Sequence, residues 1–195
     1  MTESSGWLRG VEGVLSGPDL TLTVERLAEW QLSDGMMPWY PGGHADPWNH
    51  VEALMALMLD GRKAEAEAGF AWLERLQHAD GSWHQYYLAG GEVEEAKFDA
   101  NCIAYVAAGL YHHWLLFEDR SFLDANWGML SGAVDFVRGL QTDRGEVFWA
   151  RKPDGTPFEF ALLTGSSSIT HSLRCAVAVA EVLGKERPEW VRSAQ

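Results

Sequence analysis

Apolar positions recur along this chain at the three- and four-residue spacing of helices, and no segment alternates as a half-buried strand would. Trp7, Leu8, Val11, Val14 and Leu15 predict a short first helix, stopped by Gly17 and Pro18. A second is predicted over about 20–32, with Val24, Leu27 and Trp30 on one face and Asp34-Gly35 as its stop. The third carries explicit start signals, Asp46 as N-cap and Pro47 at the first helical position. Its stripe is Trp48, Val51, Met55 and Met58, and Gly61 ends it. A fourth covers about 62–78 with Phe70, Leu73 and Leu76. The fifth begins near Asp99 and places Ile103, Val106, Leu110, His113 and Phe117 on one face. The sixth, about 121–141, carries Phe122, Trp127, Leu130, Val134 and Val137. The seventh begins among Ser166, Ser167 and Ser168 and carries Ile169, Leu173, Val177 and Ala180 before Gly184. Pro188-Glu189-Trp190-Val191 opens a further helix close to the last residue, Gln195. A helix that short is marginal in water, so a truncated chain, or one completed by a partner, is expected.

These elements repeat. Trp30-Gln31-Leu32-Ser33-Asp34-Gly35 leads to Pro38-Trp39, Leu76-Gln77-His78-Ala79-Asp80-Gly81 to Ser82-Trp83, and Leu140-Gln141-Thr142-Asp143-Arg144-Gly145 to Phe148-Trp149. Each corner is a helix end, a Gln, a turn closed by Gly, and then a Trp. Gly tolerates the left-handed conformation that ends a helix, Gln can bond loose backbone groups, and Trp can fold back as a plug. The unit is therefore a helix, a corner, a loop and a second helix with a polar first turn. Three units begin near 20, 62 and 121, with second helices opening at Asp46, Asp99 and Ser166. Taken alone, the corners call for capping and packing and nothing more.

Composition narrows the class. The chain has 195 residues, 47% apolar and 12% aromatic, enough for one folded domain over 1–195. Its formal charge is −13, spread along the chain, with no basic stripe of the kind a nucleic-acid partner would need. No apolar run reaches the length of a membrane span, and the first six residues show no signal peptide. Cys102 and Cys175 make no disulfide framework. A cytoplasmic protein is the expectation.

The stretch from Phe70 to Trp83, with Leu76-Gln77 and Gly81-Ser82-Trp83 at its end, resembles the Gln-Trp repeat of squalene and related triterpene cyclases. The resemblance extends to protein prenyltransferase β-subunits, which use the same fold. It implies an all-α array of helical hairpins forming about half of an α/α toroid, or (α/α)6 barrel, since full rings have about six hairpins. A homodimer or a missing C-terminal half would close the ring. In such a toroid the second helix of each unit lines the inside, and the N-termini of these helices share one rim. That would gather Trp39, Tyr40, His44, Asp46, Trp48, Asn49 and Glu52 from the first unit. Trp83, His84, Tyr86, Tyr87, Asp99, Asn101 and Cys102 would come from the second, and Trp149, Arg151, Glu159, Thr164, Ser166, Ser167, Ser168 and His171 from the third. Aromatics, carboxylates and imidazoles in one concavity suit a small-molecule substrate, and three helix N-termini would favour an anionic group. Each of these residues also has a plainer role as cap or rim, Asp46 and Asp99 above all.

The preferred functional reading is a prenyltransferase or terpenoid-cyclase-like enzyme acting on an isoprenoid, whose carbocation aromatic faces would stabilise. The DxDD motif by which class II cyclases protonate substrate is absent. Prenyltransferases bind zinc through an Asp, a nearby Cys and a distant His, and Asp99, Cys102 and His171 resemble these in placement. The family's Asp and Cys stand two apart and these stand three apart, a spacing that still faces one side of a helix. The alternative is a six-hairpin glycosidase-like protein acting on a saccharide. Trp39, Trp83 and Trp149 would then be stacking platforms, and Glu52, Asp99 and Glu159 candidate acids or bases. A non-catalytic helical scaffold is the third reading.

Overall fold

The computed structural model describes residues 9–195. Trp7 and Leu8 of the expected first helix lie outside them. Val11 and Leu15 do not continue a helix; they pair across a tight turn. Gly17 and Pro18, expected to stop a helix, instead start one. Here α1 (Gly17–Trp30) opens on a capping box in which Ser16 and Asp19 bond each other's backbone.

Seven of the remaining helices follow the expected hairpins: α2 (Pro47–Leu59), α3 (Lys63–Leu76), α4 (Ala100–Ala104), α5 (Val106–Phe117), α6 (Arg120–Ala125), α7 (Trp127–Arg138) and α8 (Leu163–Leu183). A short α9 (Pro188–Ser193) follows. The expected fifth helix is divided at Tyr105 and the sixth at Asn126. At Asn126 the side-chain amide bonds the Phe122 carbonyl at 2.9 Å and competes with the helix ladder there. Helix α2 packs on α5 and α5 on α8, giving one inner wall, while α1, α3, α7 and α9 each back an inner helix from outside. This is about half of an α/α toroid, all-α apart from two small ribbons. In one, β1 (Tyr86–Tyr87) pairs antiparallel with β2 (Val93–Glu95); in the other, β3 (Phe98–Asp99) pairs with β4 (Ala150–Arg151). Strands of two or three residues are too short to leave an alternating pattern in the sequence. Among the described residues no helix is long and apolar enough to cross a membrane.

The corners bind successive hairpins together. The amide nitrogens of Gln31, Gln77 and Gln141 each donate to the carbonyl of their own corner glycine, at 3.1, 3.0 and 2.9 Å. Each also donates across to the outer helix of the next unit. Gln31 reaches Glu65 O in α3 at 2.8 Å, Gln77 reaches Met129 O in α7 at 2.9 Å, and Gln141 reaches Ser193 O in α9 at 3.1 Å. The corner glycines themselves have positive φ. Two residues beyond each glycine comes the plug: Met37, Trp83 and Val147, exposed by 1, 0 and 4%. The plug is thus a register position, and only in the second unit is it an indole. Trp83 is a core residue whose N–H donates to Leu73 O at 2.8 Å, which removes it from the set of expected stacking platforms.

A Cβ on Gly81 would stand 2.0 Å from Gly132 O in α7, whereas one on Gly145 would meet nothing within 4 Å. Gly145→Ala should therefore cost only the left-handed backbone penalty, about 1–2 kcal/mol. Gly81→Ala should cost clearly more in the same urea unfolding series, because two backbones must separate. Equal losses at the two positions would show that the corner-to-helix contact does not hold the hairpins at this distance.

Candidate functional site

The N-termini of the three inner helices open on one cleft of ≈ 350 Å³. Its walls follow the repeat. Four residues past the corner glycines come Trp39, Gln85 and Trp149; the positions just before the helices hold Asp46, Asp99 and Leu162. Two residues further are Trp48, Asn101 and Thr164, and next to them Asn49, Cys102 and Gly165. Tyr86 from β1 and Lys97 from the connection between β2 and β3 complete the lining.

Asp46 is 1% exposed and accepts four hydrogen bonds. Oδ1 caps α2 through Trp48 N at 2.8 Å and Asn49 N at 3.0 Å. Oδ2 takes the Trp39 indole N–H at 2.6 Å and Asn49 Nδ2 at 2.8 Å. Both oxygens are thus engaged in orienting the wall. Asp99 is different. Its Oδ1 accepts Asn101 N at 2.9 Å and Cys102 N at 3.2 Å as the cap of α4. Burial raises its pKa above the usual carboxyl value, against the pull of those two backbone bonds, the Lys97 charge and the Trp149 side chain. Lys97 lies 4.4 Å over the Trp149 ring and pairs with Glu95 at 3.3 Å. Cys102 lies at the base between the two acids. Burial first, then the charges of Asp99 and Asp46, push its thiol well above the ordinary range.

Of the residues expected at the mouth, Trp39, Asp46, Trp48, Asn49, Tyr86, Asp99, Asn101, Cys102, Trp149 and Thr164 come together there. His44 stands behind the wall, stacked on Tyr86 at 4.3 Å and bonded to Glu94 at 2.6 Å. Glu52 is one turn deeper on α2 and accepts bonds from Trp48 Nε1 at 3.1 Å and Tyr105 OH at 3.3 Å. Tyr40 and Glu159 are exposed outside the cleft. Tyr87 is buried, its hydroxyl accepting from His84 N at 2.8 Å. Arg151 turns away to pair with Asp80 and lies over the Phe136 ring. Ser167 and His171 were placed too high: α8 begins at Leu163 rather than at Ser166, which carries both a turn or more beyond the mouth. The nitrogen of His171 faces Cys175 Sγ at 3.6 Å. The expected zinc set of Asp99, Cys102 and His171 is therefore not assembled, and among the described residues no three His, Cys, Asp or Glu side chains cluster as metal ligands. Gln85, Lys97 and Leu162 were not foreseen. Counting from the corner glycines, instead of matching tryptophans, would have found Gln85.

No family model matches the chain. It is 45% identical over 181 residues to the MMP endo-(1,4)-3-O-methyl-alpha-D-mannosidase of Mycolicibacterium hassiacum, an alignment covering 93% of this chain and 50% of that protein. Among solved structures it is similar to a glycoside hydrolase of family 105 from C. acetobutylicum ATCC 824, with TM-score 0.66 and 10% identity over 91% of this chain and 55% of that one. It is also similar to the unsaturated glucuronyl hydrolase of Bacillus sp. GL1, with TM-score 0.65 and 16% identity over 90% and 52%. The structural neighbours establish the toroid. The chain spans half the length of its mannosidase relative. That relative overturns the prenyltransferase and terpenoid-cyclase reading, because the Gln-Trp corners report how hairpins stack and carry none of the mouth's chemistry.

His50, also on the first turn of α2, points away from the mouth and ties the first corner to α3. Its Nδ1 accepts from Met37 N at 3.0 Å, so Nε2 donates to Gly69 O at 3.0 Å and the ring is neutral. Burial lowers its pKa to about 4, against the bond to Gly69 and the charges of Asp46 and Asp34. The folded value lies below the ordinary 6.5, so this contribution is whole above pH 6.5 and is lost as the pH falls toward 4. The loss by pH 4 should reach roughly 3 kcal/mol. Urea unfolding between pH 7 and 4 should show it in the wild type, and a His50→Gln variant should lack that component.

Proposed function

We propose that this chain carries the mouth of a glycoside hydrolase and acts on an α-linked mannoside, the bond type in the name of its Mycolicibacterium relative. The observation that carries the reading is Asp99, a buried carboxyl of raised pKa in a cleft walled by the indoles of Trp39, Trp48 and Trp149. Glycoside cleavage needs a carboxylic acid to protonate the departing oxygen and a second carboxyl to act at the sugar carbon or on water. A raised pKa favours the protonated form that a general acid needs. Because Oδ1 of Asp99 already takes both cap bonds, Oδ2 is the oxygen that would hand it over. Indole faces offer broad apolar area against the C–H face of a pyranose, with polar edges left for its hydroxyls. Glu52, held by Trp48 and Tyr105 on the inner wall, is the candidate second carboxyl. Asp46, with all its acceptor sites taken, positions Trp39 and Asn49.

The assay is release of reducing ends from an α-(1,4)-linked 3-O-methylmannose oligosaccharide. Asp99→Asn keeps a competent helix cap and should lower the rate by about 100-fold or more, with the circular dichroism spectrum unchanged. Glu52→Gln should also lose most of the rate. Undiminished turnover in Asp99→Asn would remove the acid from the mechanism and this reading with it.

A further inference from the structure

In the second hairpin the repeat changes character. The position held by Trp39 in the first unit and Trp149 in the third is Gln85, and the position of Trp48 is Asn101. Two indoles are thus replaced by two amides in one unit. Both are more than nine-tenths buried, at 7 and 8% exposure. Among the described residues, Gln85 Oε1 and Asn101 Oδ1 have no hydrogen-bond partner. Gln85 Nε2 lies 3.8 Å from the Cys102 sulfur, and the Gln85 side chain also hydrogen-bonds Tyr86. A buried amide oxygen left unpaired costs about 1–3 kcal/mol, and two of them on side chains that line one cleft are a cost that a ligand's donors would relieve. Both are acceptors, so the ligand must donate. The charged groups nearby are the Asp46 carboxylate and the Lys97 ammonium, while Arg151 is committed to Asp80. An anionic ligand would therefore meet the Asp46 carboxylate and an amine that is already paired with Glu95.

We propose that Gln85 and Asn101 form a polar notch between the indoles of the mouth that accepts hydrogen bonds from hydroxyl groups of a neutral sugar and selects it over a uronic acid. This rests on the carbohydrate reading above and adds to it which unit reads the hydroxyls. The indoles hold the ring by its faces, and the notch reads one edge. A site built to pair a hydroxyl rejects the analogue lacking it more strongly than an apolar wall can.

The test is tryptophan fluorescence titration of the full chain with methyl α-D-mannopyranoside, its monodeoxy analogues and methyl glucuronides. The wild type should bind the mannoside, bind at least one deoxy analogue about tenfold more weakly, and bind the glucuronide more weakly still. Gln85→Leu and Asn101→Leu should each weaken mannoside binding about tenfold and abolish the penalty for one missing hydroxyl. The deoxy series on the wild type needs no variant to fold, and far-ultraviolet circular dichroism checks those that are made. Variants that bind with wild-type affinity and keep the full hydroxyl preference would overturn the notch alone, leaving saccharide binding in place. Equal affinity for the glucuronide would overturn it as well. If no saccharide perturbs the wild-type fluorescence, the carbohydrate reading falls and takes the notch with it.

Discussion

One amide nitrogen per hairpin sets the geometry of the whole array. A glutamine NH2 has two hydrogens, and in all three corners one goes to the glycine that closes the turn and the other to the next outer helix. The first bond fixes the shape of the corner and the second fixes where the neighbouring unit begins. Carbonyls at helix ends and in turns are groups that need partners, so one side chain meets two needs at the same joint. The close approach of Gly81 to the backbone of Gly132 is possible because neither residue has a side chain in the way. Hairpins joined like this cannot slide relative to one another.

That constraint reaches the mouth directly. Because every corner has the same shape, the residue two places past its glycine is driven into the core and the residue four places past it emerges at the rim. Because every inner helix opens at the same height, its cap and the second and third residues after the cap meet the same cleft. The lining is thus four register positions sampled three times, plus Tyr86 and Lys97. The chemistry of the site then lies in what differs among the three samples. Both caps in the first two units are aspartates, yet one has every acceptor filled and the other is raised in pKa by burial. Identical positions with unlike surroundings give one carboxyl whose bonds orient the wall and one whose pKa burial raises.

Much of this was legible in the residues. Asp46 followed by Pro47, and Asp99 at the head of an apolar face, marked two inner helix starts correctly because N-cap chemistry is local. The third start was misplaced by three residues. Leu162 offers no capping side chain, so the serines at 166–168 looked like the better signal although they lie inside the helix. The same habit of matching residue type misled the corners. Trp83 was grouped with Trp39 and Trp149, yet it occupies the plug position, and the true counterpart, Gln85, is not aromatic at all. His171 and Arg151 were gathered to the mouth on proximity in the pattern, while partners far along the chain or one turn away, Asp80 and Cys175, drew them elsewhere. Contacts between units are what sequence periodicity does not encode.

The failed isoprenoid reading follows from the same division of labour. The residues that carried it, Gln77, Gly81 and Trp83, form a corner that joins hairpins and plugs the core, a structural task independent of what the ring binds. None of the three lines the cleft. A carbocation site would be expected to surround its ligand with apolar and aromatic faces and to leave few acceptors unmet. Here the second unit substitutes amides for indoles at two of its four lining positions, and both amide oxygens lack partners among the described residues. An alkyl chain would leave those oxygens buried and unpaired, whereas a ring bearing hydroxyls presents apolar faces to the flanking tryptophans and donors to the notch. Within a frame that holds position constant, this exchange of side chains at fixed places argues for a ligand with two kinds of surface, and a sugar has both.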